Sequence, residues 1–160
     1  ENPWYAECNN IASLYVARKY LNNAIILDGD QIIRNPVILH REFTRSGYSC
    51  AWTDSATNEW LLTVENGIVT KCSRTGGDHG WQLFSVSRWT AEDGQRLRKH
   101  LELEFVQNEN RSIYWDDVAM FCHPDEYQFG VYPISAEDLR EIDSFTELCE
   151  ADPSYKGGFD

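Results

Sequence analysis

No stretch of this chain approaches the roughly 18 consecutive apolar residues that a membrane-spanning helix needs, so a helical membrane anchor within it is excluded. The start, Glu1-Asn2-Pro3-Trp4, lacks the basic opening and apolar core of a secretory signal. Positive charge is scarce: 14 Lys and Arg stand against 26 Asp and Glu, a net charge of −12. Nucleic-acid binding needs a basic face, so a nucleic-acid partner is set aside. The acidity mostly concerns solubility, and it also suits a cationic substrate. Cysteine spacing of the C-x-x-C kind is missing among Cys8, Cys50, Cys72, Cys122 and Cys149. Their odd number and wide scatter point to reduced, mostly buried thiols in a cytoplasmic protein. The four histidines form no ligand cluster in sequence, and neighbours such as Cys122 and His123 would not face one site. A zinc site and Cys–His catalysis are therefore not expected. Gly76-Gly77 is the only glycine pair before the tail, and no P-loop lysine follows it. Repeats, low-complexity segments and long linkers are also absent.

What is present is a globular composition, 42% hydrophobic and 13% aromatic over 160 residues. That is enough for one domain, residues 1–160, with a real core. The most informative stretch is Ala24-Ile25-Ile26-Leu27-Asp28-Gly29-Asp30. A continuous apolar run of this kind suits a strand buried on both faces of a parallel sheet. Ligands of open α/β sheets gather at the carboxyl ends of strands. Asp28 and Asp30 fall at that end, on one side if the strand persists. The competing reading is a plain strand-ending turn, since Asp and Gly favour turns.

Other elements follow from local signals. Asn9 or Asn10 can cap a helix carrying Ile11, Leu14, Tyr15 and Leu21 on one face. Asn35-Pro36 opens a second helix, bearing Ile38, Leu39 and Phe43 and stopping at Gly47. Residues 48–53 read as a strand. Asn66-Gly67, inside Glu65-Asn66-Gly67, lies between two apolar runs (59–64 and 68–72) and predicts a β-hairpin. Residues 73–80 read as a loop and 81–89 as another strand. Thr90 starts a long helix, with Leu97, Leu101 and Phe105 as its buried stripe. Residues 114–121 read as helical and 127–134 as a strand. Ser135 and Ser144 open two further helices. The domain is therefore α/β. A helix leading straight into an interior-type strand suggests that the chain begins within a larger α/β domain.

Two groups of residues could carry chemistry. Asp30 and Asp143 each follow a short strand-like run, and Mg2+ usually takes one or two protein carboxylates. Such a pair could hold the ion against a nucleoside triphosphate. An acid near a helix start is also an ordinary stabilising placement for Asp143. The second group is aromatic: Trp60, and Tyr114-Trp115 followed by Asp116-Asp117. Rings beside carboxylates can hold a quaternary ammonium by cation–π attraction, or they can simply fill the core.

Six pieces taken together resemble the bacterial CTP:phosphocholine cytidylyltransferases of the sugar-nucleotide nucleotidyltransferase superfamily. They are Asn9-Asn10-x-x-Ser13-Leu14, Ile26 to Asp30, Thr57-Asn58-Glu59-Trp60, Ser85-Val86-Ser87-x-Trp89, Tyr114 to Asp117, and Glu141-Ile142-Asp143-Ser144. Their order and spacing fit from about residue 2 to 148. The resemblance implies a Rossmann-like nucleotidyltransferase fold with a mixed sheet. It implies attack by phosphocholine on the α-phosphorus of CTP, giving CDP-choline and pyrophosphate. It makes Asp30 and Asp143 the catalytic Mg2+ ligands, and it places Trp60 and Tyr114, with Trp115 and Asp116 nearby, in the substrate region. The family's opening strand and glycine-rich basic loop are not in this sequence. The chain thus resembles the C-terminal portion of such an enzyme, incomplete alone, with the missing N-terminal piece or a second copy as a partner. Variants of the reading are transfer to an aminophosphonate or a sugar phosphate, and a choline-type binding module without nucleotide chemistry.

Overall fold

The computed structural model describes residues 1–157; the last three residues of the expected domain lie outside it. The chain begins with α1 (Ile11–Ala17), prolonged by a 3-10 turn over Arg18–Tyr20. Ile11 and Leu14 of this helix, and Leu21 just after it, are buried, as their spacing predicts. Asn10 does not use its side chain to cap α1. Its Oδ1 instead accepts from the Trp115 backbone N–H (2.9 Å), a helix-start donor 105 residues away.

The strands are β1 (Ala24–Leu27), β2 (Gln31–Ile33), β3 (Gly47–Thr53), β4 (Leu61–Glu65), β5 (Ile68–Ser73) and β6 (Gly80–Trp89). Helix α2 (Ala91–Glu102) follows and widens into a π turn over Leu103–Gln107. Next come α3 (Trp115–Asp117), its π continuation Val118–Cys122, β7 (Gly130–Pro133), β8 (Leu139–Glu141) and α4 (Phe145–Ala151). The main sheet runs β5-β4-β6-β3-β7, with β1 joined to β6, and β2 and β8 form a separate ladder. Among the described residues, only β3 and β7 pair in parallel. The α/β class with a mixed sheet is thus as expected, and the sheet is mainly antiparallel.

Strand β6 organises the molecule. Within its ten residues, Gly80 to Phe84, Ser87 and Arg88 pair with β3 along one side, with a bulge between; along the other, Trp81 and Gln82 pair with β4, and Val86 to Trp89 pair with β1. Residues alternate between faces along it. Trp89 enters the larger core with Tyr48, Leu97, Leu101, Phe105 and Trp115, while Val86 joins Ile38 and Leu139 in a smaller core on the opposite face. The capped helix holds as predicted, with Thr90 accepting from the Asp93 N–H. So does the hairpin: Asn66 and Gly67 take φ of 52° and 76°, the left-handed pair such a turn requires. Gly94 lets α2 approach the end of the first helix, because a Cβ there would sit 1.6 Å from the Leu21 carbonyl oxygen.

Three expectations are corrected. The 24–27 run is not an interior parallel strand: it pairs antiparallel with β6, and Leu27 is 38% exposed. An apolar run reports burial on neighbouring surfaces, but not which strand supplies the hydrogen bonds. Residues 36–47 form no α-helix, only a 3-10 turn over Pro36–Leu39, with Asn35 capping Val37. Ile38 finds its burial within that single turn, and Gly47 already belongs to β3, where a Cβ would collide with the Gly130 carbonyl. The thiols, all five free, are less buried than expected: Cys50 and Cys149 are buried, Cys8 and Cys72 partly so, and Cys122 is exposed. No helix among the described residues is long and apolar enough to cross a membrane.

Candidate active site

Strand β1 ends and β4 begins along the same edge of β6. Leu27 pairs with Val86 and Leu61 with Gln82, leaving Leu83 to Ser85 between them. A cavity of about 290 Å³ opens at this break. Leu83 and Ser85 form its floor; Asp28 and Asp30 enter from the end of β1, and Glu59 and Trp60 from the approach to β4. Asn10, Tyr114 and Asp116 close it from the helical side, and Glu141 from β8.

Each wall has a local cause. Trp60 is held by its own carbonyl, which accepts from the Leu83 N–H (2.9 Å). The loop before it is pinned by reciprocal bonds between Thr57 and Gly77, both 3.0 Å. Gly76 permits this approach: its φ is 73°, and a Cβ would lie 1.7 Å from the Thr57 carbonyl oxygen. The Trp60 ring meets Tyr114 edge to face at 5.9 Å and Phe121 at 5.8 Å. The Arg74 guanidinium lies 3.9 Å from the Phe121 ring centre and 5.4 Å from that of Trp60, and it pairs with Asp117. Asp117 in turn accepts the Tyr114 N–H (3.0 Å), fixing the turn that carries Tyr114 and Asp116.

The β2–β8 ladder delivers the remaining acids. Gln31 lies opposite Glu141, and the Asp30 carbonyl accepts from the Ile142 N–H at 2.9 Å. Asp30 thereby lies across from Ile142, and Asp143 follows on that facing segment, although 113 positions separate the two aspartates. Asp30 lines the cavity and Asp143 lies beyond its lining, its N–H bonded to Glu147 (2.9 Å). Among the described residues no three His, Cys, Asp or Glu side chains are grouped to hold a metal. His100 and His123 do meet, stacked at 3.8 Å, but His123 is engaged by Glu104 and His100 by the Tyr127 hydroxyl.

The cavity is strongly anionic. Asp28, Asp30, Glu59, Asp116 and Glu141 line it, and no Lys, Arg or His does so among the described residues. Burial pushes the Asp116 carboxyl up to about 8, helped by the charges of Asp28 and Asp117. Burial also raises Asp28, as does Asp30 beside it, and the Ser85 hydroxyl and Trp115 side chain offset part of this. Glu141 is raised by burial and then by the crowd of Asp143, Asp30, Glu59 and Asp28. Acids crowded in this way lower their own energy by taking in a cation.

Of the residues singled out in the sequence, Asp30, Trp60, Tyr114 and Asp116 share the cavity, and Asp143 lies outside its lining, next in the chain to Ile142, which bonds the Asp30 carbonyl. Trp115 does not reach it. It is 2% exposed, packed on Tyr48 and Trp89, and it supports Asp28 from behind. Sequence reasoning missed Glu59, Ser85, Glu141 and Asn10 as wall residues. Glu141, two places before Asp143, was open to the same alternation argument as Asp28 and Asp30; Asn10 carried no local signal, since its role depends on Trp115.

No protein-family model matches the chain. Two curated proteins are similar over 97% of it: the 2-aminoethylphosphonate cytidylyltransferase of Lancefieldella rimae (27% identical) and the choline-phosphate cytidylyltransferase of Streptococcus pneumoniae (24% identical). The chain spans 63% and 60% of their lengths. The solved CTP:phosphocholine cytidylyltransferase of Streptococcus pneumoniae superimposes on 96% of the chain with a TM-score of 0.82 and 25% identity, 66% of that protein being covered. In sequence and in fold, the chain is a homologue of these cytidylyltransferases, within the nucleotidyltransferase superfamily.

Proposed function

We propose that this chain supplies the acceptor side of a cytidylyltransferase, which moves CMP from CTP to the phosphate or phosphonate of a small molecule with a cationic head. The observation that carries the reading is the convergence of Trp60, Tyr114, Asp116 and Glu141 with Asp28 and Asp30 in one cavity at the end of β1. Phosphocholine is the acceptor the sequence resemblance implies, and 2-aminoethylphosphonate is the acceptor in the name of one relative.

Each part has a chemical task. The head group enters between the Trp60 and Tyr114 rings and the acids, which leaves its phosphoryl oxygens pointing toward Asp30. Asp30 and Asp143, on facing segments, would supply hard oxygen donors for Mg2+, which takes one or two carboxylates and fills its other positions with water and phosphate oxygens. When bound there, the ion would neutralise charge on the α-phosphate and on departing pyrophosphate. The acidic lining, which would repel a triphosphate, supports a role for such an ion. The protein's own contribution is positioning, since phosphoryl transfer of this type needs no protein nucleophile.

A non-catalytic binding module is disfavoured, because a pure binder of the head group has no use for the metal-ligand pair, Asp30 and Asp143, that the sequence resemblance implies. A sugar-phosphate acceptor is disfavoured because its uncharged head leaves the acidic lining uncompensated, whereas a cationic head neutralises it. Titrating phosphocholine, 2-aminoethylphosphonate and glucose 1-phosphate calorimetrically into the protein at saturating Mg2+ tests the acceptor role. Binding of glucose 1-phosphate with neither cationic acceptor bound would refute it.

A further inference from the structure

Asp116 is a buried carboxyl group with an unused acceptor. Its side chain is 8% exposed, it lines the cavity, and Oδ1 has no hydrogen-bond partner. The Tyr48 hydroxyl faces it closely enough to favour its ionised form, but the geometry falls short of a hydrogen bond, and Tyr48 Oη is unpartnered as well. An orphaned buried acceptor is costly, and native proteins rarely keep one without a use.

The aromatic part of the site is correspondingly thin. Recognition of a quaternary ammonium relies on a cage of ring faces, because that group has no hydrogen to donate. Here Trp115, the third ring that the sequence offered, is committed to the core. The Phe121 face, and one over Trp60, are already occupied by the Arg74 guanidinium. Two rings, Trp60 and Tyr114, remain against five carboxylates.

Resting on the proposed acceptor role, we infer that the head group this site selects is a primary ammonium, R–NH3+, which donates a hydrogen bond to Asp116 Oδ1, rather than a trimethylammonium. A primary ammonium brings three donors. One satisfies Asp116, and the others face Asp28 or Glu141 on the adjoining walls. A trimethylammonium would seal the same cavity with methyl groups and leave Asp116 Oδ1 dry and unpaired. The chemistry is shared by an aminoalkyl phosphonate and an aminoalkyl phosphate, so the ammonium defines the class and the phosphoryl end does not.

The test is a graded ligand series titrated calorimetrically into the protein at saturating Mg2+. It comprises 2-aminoethylphosphonate, phosphoethanolamine, its N-methyl and N,N-dimethyl forms, and phosphocholine. Affinity is expected to fall as N–H is replaced by methyl, with at least about tenfold between the primary and trimethyl ends, as losing a charged hydrogen bond predicts. Similar affinity for the phosphate and phosphonate amines is part of the same expectation. Asp116→Asn should narrow that ratio to within about threefold by weakening the primary amines selectively. Tighter or equal binding of phosphocholine would overturn the inference and leave the acceptor role standing, as would an Asp116→Asn variant that weakens every ligand alike. Failure of the whole series to bind would overturn the acceptor role itself, and this inference with it.

Discussion

Replacing Asp116 by Asn should shift the stability of the unliganded protein, relative to the parent, in the variant's favour as pH rises. The native carboxyl titrates near 8, pushed up by burial and then by Asp28 and Asp117; in the unfolded chain it titrates near 3.9. Below about pH 4 both states hold the proton, and the group contributes no pH dependence. Between about 4 and 8 the native state keeps a proton that the unfolded state has released. Stability then falls as pH rises, by at most about 1.4 kcal/mol per unit. At pH 7 the accumulated loss has a ceiling of about 4 kcal/mol, and above pH 8 it levels off. Asn has nearly the same shape and never ionises, so it escapes the loss. Burying its amide without a partner carries its own cost of about 1–3 kcal/mol, which does not depend on pH. The variant should therefore match or fall below the parent at pH 4 and overtake it by pH 8. Urea unfolding followed by tryptophan fluorescence across that range reads the difference directly. Parallel stability curves between pH 5 and 8 would refute the reasoning, because they would mean that Asp116 is already ionised in the native state.

Three further outcomes check the site and the fold separately. Asp30→Asn and Asp143→Asn should each weaken Mg2+ binding at least tenfold by calorimetry, since each removes one of the two carboxylates proposed to hold the ion; unchanged affinity would separate these residues from the metal. Trp60→Ala should weaken 2-aminoethylphosphonate by about 0.5–2 kcal/mol, the range of a cation–π contact, and an unchanged dissociation constant would take Trp60 out of the head-group wall. Gly94→Ala should lower stability by about 1–3 kcal/mol, because its Cβ meets the Leu21 carbonyl at 1.6 Å and the helices must part. Ligand affinity of the folded fraction should be kept, since Gly94 lies away from the cavity.

Elements that depend on a few neighbouring residues were legible in the chain alone. The Asn66-Gly67 hairpin needs only two residues that tolerate positive φ, and both adopt it. Thr90 caps its helix through a bond three residues long, and Leu97, Leu101 and Phe105 face the core because helical spacing puts them on one stripe. The acids after Leu27 were visible because a charged pair cannot continue an apolar strand. Their grouping with Trp60, Tyr114 and Asp116 followed from the resemblance of the ordered pieces, which carries information about distance in space that periodicity does not.

Pairing partners and burial at long range were decided by the tertiary structure. The 24–27 run reads the same whether its neighbour is parallel or antiparallel, and only the length of β6 shows that it serves β4 with one end and β1 with the other. The cavity exists because those two strands leave a gap, a property of register and not of any one segment. Trp115 and Tyr114 are adjacent in sequence and point to opposite environments, one in the core and one at the cavity, through a turn set by Asp117 and Arg74. Composition fixes an acidic chain, but the shift of Asp116 needs Asp28, Asp117 and a dry wall assembled from segments nearly ninety residues apart. Local rules reach as far as a turn or a helical stripe; the electrostatics of a site depend on which distant groups the fold brings within a few ångströms.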